Sequence, residues 1–212
     1  MTGNGAGLYT ITVPPAGQPV TLAEARAQLR IDSDLTSEDT LISDLISAAV
    51  MAGERKTGRL FAAQTVQYRF STLWASNRVP YPYVDILRAP VNSVTAASVK
   101  SGGSDVDVLS SVELLASGGY PRVFYYSDAA GTVPDDETAF PYSLTFTAGY
   151  ATIPGDIKTA ILSHVAYLYE NRGDVASVRA EGTTLSAAVT AVDMPAESAG
   201  IYSRYRLRYV FG

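Results

Sequence analysis

Residues 36–70 read TSEDTLISDLISAAVMAGERKTGRLFAAQTVQYRF, and the hydrophobic period changes within them. Leu41, Ile42, Leu45, Ile46, Ala49, Val50 and Gly53 recur at three- and four-residue spacing, the stripe of an amphipathic helix. Glu38 and Asp39 in the first turn and Arg55 and Lys56 in the last complement the helix macrodipole. Gly58 can take the left-handed backbone that ends such a helix. The spacing predicts a helix over residues 36–57. From Gln64 the period becomes two: Val66, Tyr68, Phe70 and Trp74 alternate with Gln67, Arg69 and Ser71. A helix therefore runs almost directly into a β region.

Working towards the N-terminus, Thr21-Leu22-Ala23-Glu24 is a capping box and predicts a short helix to about Arg30. Residues 1–20 form an arm with a short alternating run at Leu8–Val13, read as an arm or edge strand and ended by Pro14, Pro15 and Pro19. Working towards the C-terminus, short β-rich runs continue to about Tyr150, with Gly102-Gly103 and Gly118-Gly119 between them. They predict an antiparallel sheet or small barrel. Helical spacing returns at Gly155–Asn171, where Ile157, Ile161, His164, Val165 and Leu168 share a face. Residues 174–192 read as a loop, and Pro195 suits the first position of a last helix. The expected fold class is α+β. Residues 21–60 and 153–204 form a discontinuous helical bundle, residues 61–150 an inserted antiparallel β region, and residues 205–212 a C-terminal tail.

Composition narrows the chemistry. The 212 residues contain no cysteine and one histidine, which removes disulfides, thiol nucleophiles, thiolate metal sites and multi-histidine zinc sites. No Gly-x-Ser-x-Gly elbow offers His164 a nucleophile, and on an apolar stripe it reads as a core or interface residue. No enzyme activity and no cofactor are expected. Net charge is −5, which disfavours an open DNA-binding face. No apolar run is long enough to span a membrane, and Met1 to Gly7 do not read as a signal peptide.

Several groups invite two readings. Asp105 with Asp107, and Asp135 to Glu137, are solvated turn carboxylates or oxygen ligands for a cation, without EF-hand spacing. Trp74, Tyr81, Tyr83, Tyr125 and Tyr126 fill the core of a small sheet or form a carbohydrate- or protein-binding surface. On the long helix, Asp44, Glu54 and Arg55, with Arg59 just beyond it, are solvated or paired residues, or a subunit contact or channel wall. The final segment Tyr205-Arg206-Leu207-Arg208-Tyr209-Val210-Phe211 alternates through Tyr209, with basic residues on one face and Tyr205, Leu207 and Tyr209 on the other. It is either an edge strand of its own sheet or a strand that adds to a partner's sheet.

The sequence resembles the head–tail connector (adaptor, head-completion) proteins of long-tailed double-stranded DNA phages and prophages. The resemblance rests on Val20-Thr21-Leu22-Ala23-Glu24-Ala25-Arg26 with Leu29-Arg30, on Glu38-Asp39 before Leu41-Ile42, and on Glu54 and Thr57-Gly58-Arg59. It continues in Phe146-Thr147-Ala148-Gly149-Tyr150, Pro154, Ile157-Lys158, Ala160-Ile161 and Tyr169-Glu170-Asn171-Arg172. It covers roughly residues 20–75 and 140–172, and nothing in 76–140 matches. It implies a structural neck protein of the virion, assembled in the bacterial host cytoplasm as a closed homo-oligomeric ring of about twelve copies. Its implied partners are the portal protein, the next neck connector or tail-completion protein, and genomic DNA that passes through the channel without sequence-specific binding. No membrane is implied. The resemblance also implies a C-terminal arm that grips the portal, which puts Tyr205 to Phe211 at that contact. The competing reading is a β-rich carbohydrate- or host-surface-binding module on a helical stalk.

Overall fold

A computed structural model describes residues 7–32, 34–76, 79–116, 120–126, 134, 138–171 and 194–207. These include four α-helices and two antiparallel sheets, a mixed α+β fold. The backbone separates into a helical unit, from 18–57 and 152–206, and a β unit, from 1–17, 58–151 and 207–212.

In the helical unit, α1 (Leu22–Leu29) begins as its sequence predicts. The Thr21 hydroxyl accepts from the Glu24 N–H, and the Glu24 carboxylate accepts from the Thr21 N–H at 2.7 Å. Helix α2 (Asp39–Thr57) starts at Asp39, not at 36: Thr36 stays outside as a turn whose carbonyl accepts from the Asp39 N–H. Helix α3 is Gly155–Glu170 and α4 is Ala196–Tyr205. Helices α1, α2 and α4 all pack on α3, and α1 and α4 also pack on α2. Ile42, Ile46 and Ala49 of α2 and Ile157, Ala160, Ile161 and Val165 of α3 are all buried, as the 3.6-residue stripes require. Leu41, expected on that stripe, is exposed at the helix start. Glu24 also accepts from Lys158 at 2.7 Å, which ties α1 to α3.

In the β unit, the first sheet has the order β1 (Gly7–Val13), β2 (Gln64–Phe70), β9 (Tyr142–Ala148), β5 (Val91–Ser101) and β6 (Ser104–Asp107). The second has the order β3 (Trp74–Ser76), β4 (Val79–Asp85), β8 (Arg122–Tyr125) and β7 (Val112–Leu115). The β region is therefore two sheets with open edges, where the sequence suggested one sheet or a small barrel. Trp74, expected to continue the β2 alternation, belongs to the second sheet. Val66, Tyr68, Phe70, Leu144 and Phe146 of the first sheet share one apolar core with Val84, Val123 and Tyr125 of the second. Strand β1 is held by Tyr9, whose ring stacks on Tyr68 at 4.2 Å and whose hydroxyl accepts from the Leu87 N–H at 3.0 Å.

Gly149 follows β9 with φ +111°. A side chain there would place its Cβ 2.1 Å from the Ala62 carbonyl oxygen, so neither backbone angle nor space admits one. Gly149→Ala is expected to lower unfolding stability by about 2 kcal/mol or more; urea or thermal unfolding of the variant measures it.

The Lys158 ammonium, then the Thr21 N–H, hold the Glu24 carboxyl at about 2 against an ordinary 4.5. That stabilisation is complete above pH 4.5 and fades as pH falls towards about 2. Lys158→Met should therefore be less stable than the parent at neutral pH, with the gap closing in acid. Parallel unfolding curves across that range would show it.

Candidate functional site

Three regions carry residues singled out in the sequence: the chain end, the polar surface of α2, and the outer face of the second sheet.

At the chain end, Tyr205 is the last residue of α4 and not the first of a strand. Its hydroxyl donates to both oxygens of Asp156, at 2.7 and 2.8 Å, and this holds the residue in the helical turn. Alternation cannot reveal such a bond, because Asp156 is 49 residues away. The backbone becomes extended at Arg206 (φ −59°, ψ 128°). Leu207 is buried and lies against Gly58: its Cδ1 is 3.2 Å from where a Cβ on that glycine would stand. Of the segment read as a strand from the sequence, Tyr205 and Leu207 are thus engaged within the chain, while Arg206 between them is exposed. Arg208, Tyr209, Val210 and Phe211 lie outside the described residues.

On α2, Asp44 and Arg55 are exposed on one face, three turns apart, with Leu41 and Met51 beside them. Glu54 is rotated away and half-buried. Arg59 is not part of this face; it lies in the β unit, where its backbone pairs with Ala89. The four residues grouped by the sequence are therefore divided between two units.

His164 is fully buried on α3, and neither ring nitrogen meets a hydrogen-bond partner among the described residues. Burial pushes its pKa below the ordinary 6.5. Asp105 and Asp107 stand exposed on edge strand β6, and the Asp107 carboxylate accepts from the Leu109 N–H. No group of three or more metal-ligating side chains comes together among the described residues, and Asp135 to Glu137 lie outside them. No described helix is long and apolar enough to cross a membrane.

The aromatic group divides by strand parity. Tyr125 points inward and is fully buried. Trp74, Tyr83, Phe124 and Glu113 are directly paired across β3, β4, β8 and β7 and so project from the opposite face as one row. Asp85, Arg122 and Leu115 form the next row on that face. Arg122 binds Asp85 through two nitrogens, at 2.6 and 3.1 Å, and its guanidinium lies 3.9 Å from the Tyr83 ring centre. Tyr81 and Tyr126 meet edge to face at 4.7 Å, and the Tyr126 hydroxyl donates to Glu113.

A buried neutral imidazole must take up a proton in acid only by unfolding or opening, so its folded pKa lies below its unfolded one. Stability from this group is therefore complete above about pH 6.5 and declines as pH falls below it. His164→Leu is expected to lose less melting temperature than the parent between about pH 7.5 and about pH 5.5. Equal losses would mean that His164 does not titrate across unfolding.

No protein-family model matches the chain, and no curated protein matches it significantly. Solved structures do. A chain of the neck of an empty gene transfer agent (GTA) particle, computed with C6 symmetry, superposes with a TM-score of 0.66 at 23% identity, covering 97% of this chain and 98% of that one. A chain of the virion of the native GTA particle gives 0.67 at 22% identity, with the same coverage of 97% and 98%. A chain of the native GTA neck, computed with C12 symmetry, gives 0.63 at 21%, again covering 97% and 98%. This likeness spans both units and agrees with the head–tail connector resemblance of the sequence: over nearly its whole length, the chain has the fold of a chain from a phage-like particle neck.

Proposed function

We propose that this protein is a structural head–tail connector that forms a ring under the portal, extends the DNA channel and joins head to tail. The observation that carries the reading is the likeness of fold, over 97% of the chain, to chains of a phage-like neck. Two of the similar particles were computed with C6 or C12 symmetry, which fits a closed ring of copies. The helical unit would act as a discontinuous bundle forming the ring body. The likeness includes helices and sheets together, which disfavours a carbohydrate-binding β module on an added stalk. The work is mechanical, with no catalytic step and no cofactor.

Two surfaces support particular contacts. Residues 201–212 hold three arginines and no acid, so the rest of the chain carries −5 − 3 = −8. A basic end on an acidic body suits an acidic or strand-edge receptor, and the portal is the partner proposed for it. The exposed face of α2 with Asp44 and Arg55 is proposed as subunit interface or channel wall, and Glu54 on the same helix and Arg59 in the β unit are each proposed as separate subunit or channel contacts. An acidic wall repels passing DNA and limits sticking. The next connector or tail-completion protein would seat on the far side of the ring, and assembly would take place in the host cytoplasm.

The test is truncation. Removing Arg208 to Gly212 spares Tyr205 and Leu207, which are engaged within the chain, so the folded body should persist. The truncated protein is expected to lose co-sedimentation with purified portal while keeping its circular dichroism. Unchanged portal binding would overturn the docking assignment.

A further inference from the structure

The outer face of the second sheet has a use that connector function alone does not assign. Trp74, Tyr81, Tyr83, Phe124, Tyr126 and Leu115 all keep exposed or half-exposed area there. Tyr81 is 40% exposed and Leu115 46%. The same sheet's other face already fills the core with Val84, Val123 and Tyr125, and the outer aromatics lie outside that core. Tyr, Trp, Phe and Arg are the residues that dominate the dry centres of protein contacts. Charges on this face are already engaged with each other or with a ring: Asp85 with Arg122, Arg122 over Tyr83, Glu113 with Tyr126. A sugar site needs polar groups held ready for hydroxyls. A face whose charges are spoken for fits an apolar protein partner better.

The partner follows from symmetry. A closed ring requires a head-to-tail contact, in which one patch of a rigid body meets a different patch of the next copy. The β unit holds a second patch of the right kind at the β1 edge. Strand β1 has seven residues and no charge, and among the described residues no strand lies on its outer side. Leu8, Ile11 and Val13 on it are 55%, 58% and 55% exposed. The other described sheet edges carry the usual guards against pairing: β6 has Asp105 and Asp107, β7 has Glu113, and β3 is three residues long. We infer that the aromatic outer face of the second sheet receives the aliphatic β1 edge of a second copy, as the repeated contact of the ring. This inference rests on the ring reading above and assigns its interface to the β unit.

The natural absence of cysteine permits a clean test. Full-length chains carrying Ile11→Cys and Tyr81→Cys together are incorporated into neck particles and treated with a short bismaleimide. Leu8→Cys with Leu115→Cys serves as an independent pair on the same two exposed patches. The expected result is a ladder of covalent multimers extending past the dimer, with no product from either single-cysteine chain. Rings visible by electron microscopy without a ladder from either pair would overturn the interface while leaving the ring intact. Dimers from Ile11→Cys alone would overturn it too, since β1 would then pair with its own copy. Particles containing this chain without any ring would sink the connector reading itself.

Discussion

The pairing of β2 with β9 is the constraint on which the fold depends. The chain leaves the helical unit at Gly58 and returns to it after Ala151. Those two points can both adjoin helices of one unit only if the long excursion between them closes on itself. The first central strand after the exit pairs antiparallel with the last strand before the return, from Gln64 opposite Ala148 to Phe70 opposite Tyr142. Closing so long a loop costs entropy that grows only slowly with length, so the size of the insertion matters less than the quality of the closing strands. Val66, Tyr68 and Phe70 against Leu144 and Phe146 supply that quality by burying a continuous apolar row. Gly149 completes the closure, where the returning backbone passes so near Ala62 that only a hydrogen fits.

Around this closure the two sheets divide labour by parity. Inward residues of β4, β8 and β7 complete the core with the first sheet, while their outward neighbours lie outside that core and contact one another. The pattern explains how a chain so rich in tyrosine can hold a fully buried Tyr125 with half-buried, outward-facing aromatics, Phe124 and Tyr126, one residue away on either side. In the helical unit the corresponding economy is different. Nearly every apolar residue on the helix stripes is used internally, His164 is enclosed among them, and polar links such as Lys158–Glu24 and Tyr205–Asp156 fix the helices from outside.

Short-range chemistry was legible in the sequence. The capping box at Thr21 and Glu24, the α2 and α3 stripes, Gly58, and the alternation in β2 and β9 all depend on residues within a few positions of one another, and each appears in the structure. The resemblance to connectors likewise came from segments of this kind. Tyr205 shows where such reading stops. Its place in a clean alternation argued for a strand, but its bond to Asp156 belongs to a helix, and no local period records a partner 49 residues distant.

By itself, then, the sequence determined the α+β class, the long helix, the change of period that starts the β region, and the absence of thiol and multi-histidine chemistry. Tertiary structure alone decided that the β region is two sheets, that Trp74 leaves one for the other, that Tyr125 is core while Tyr81, Tyr83 and Tyr126 face out, and that Arg59 parts from Asp44, Glu54 and Arg55. The physical reason is the same in each case. Period and capping are set by neighbours along the chain, whereas the side of a sheet that becomes core is set by what another, distant strand brings against it.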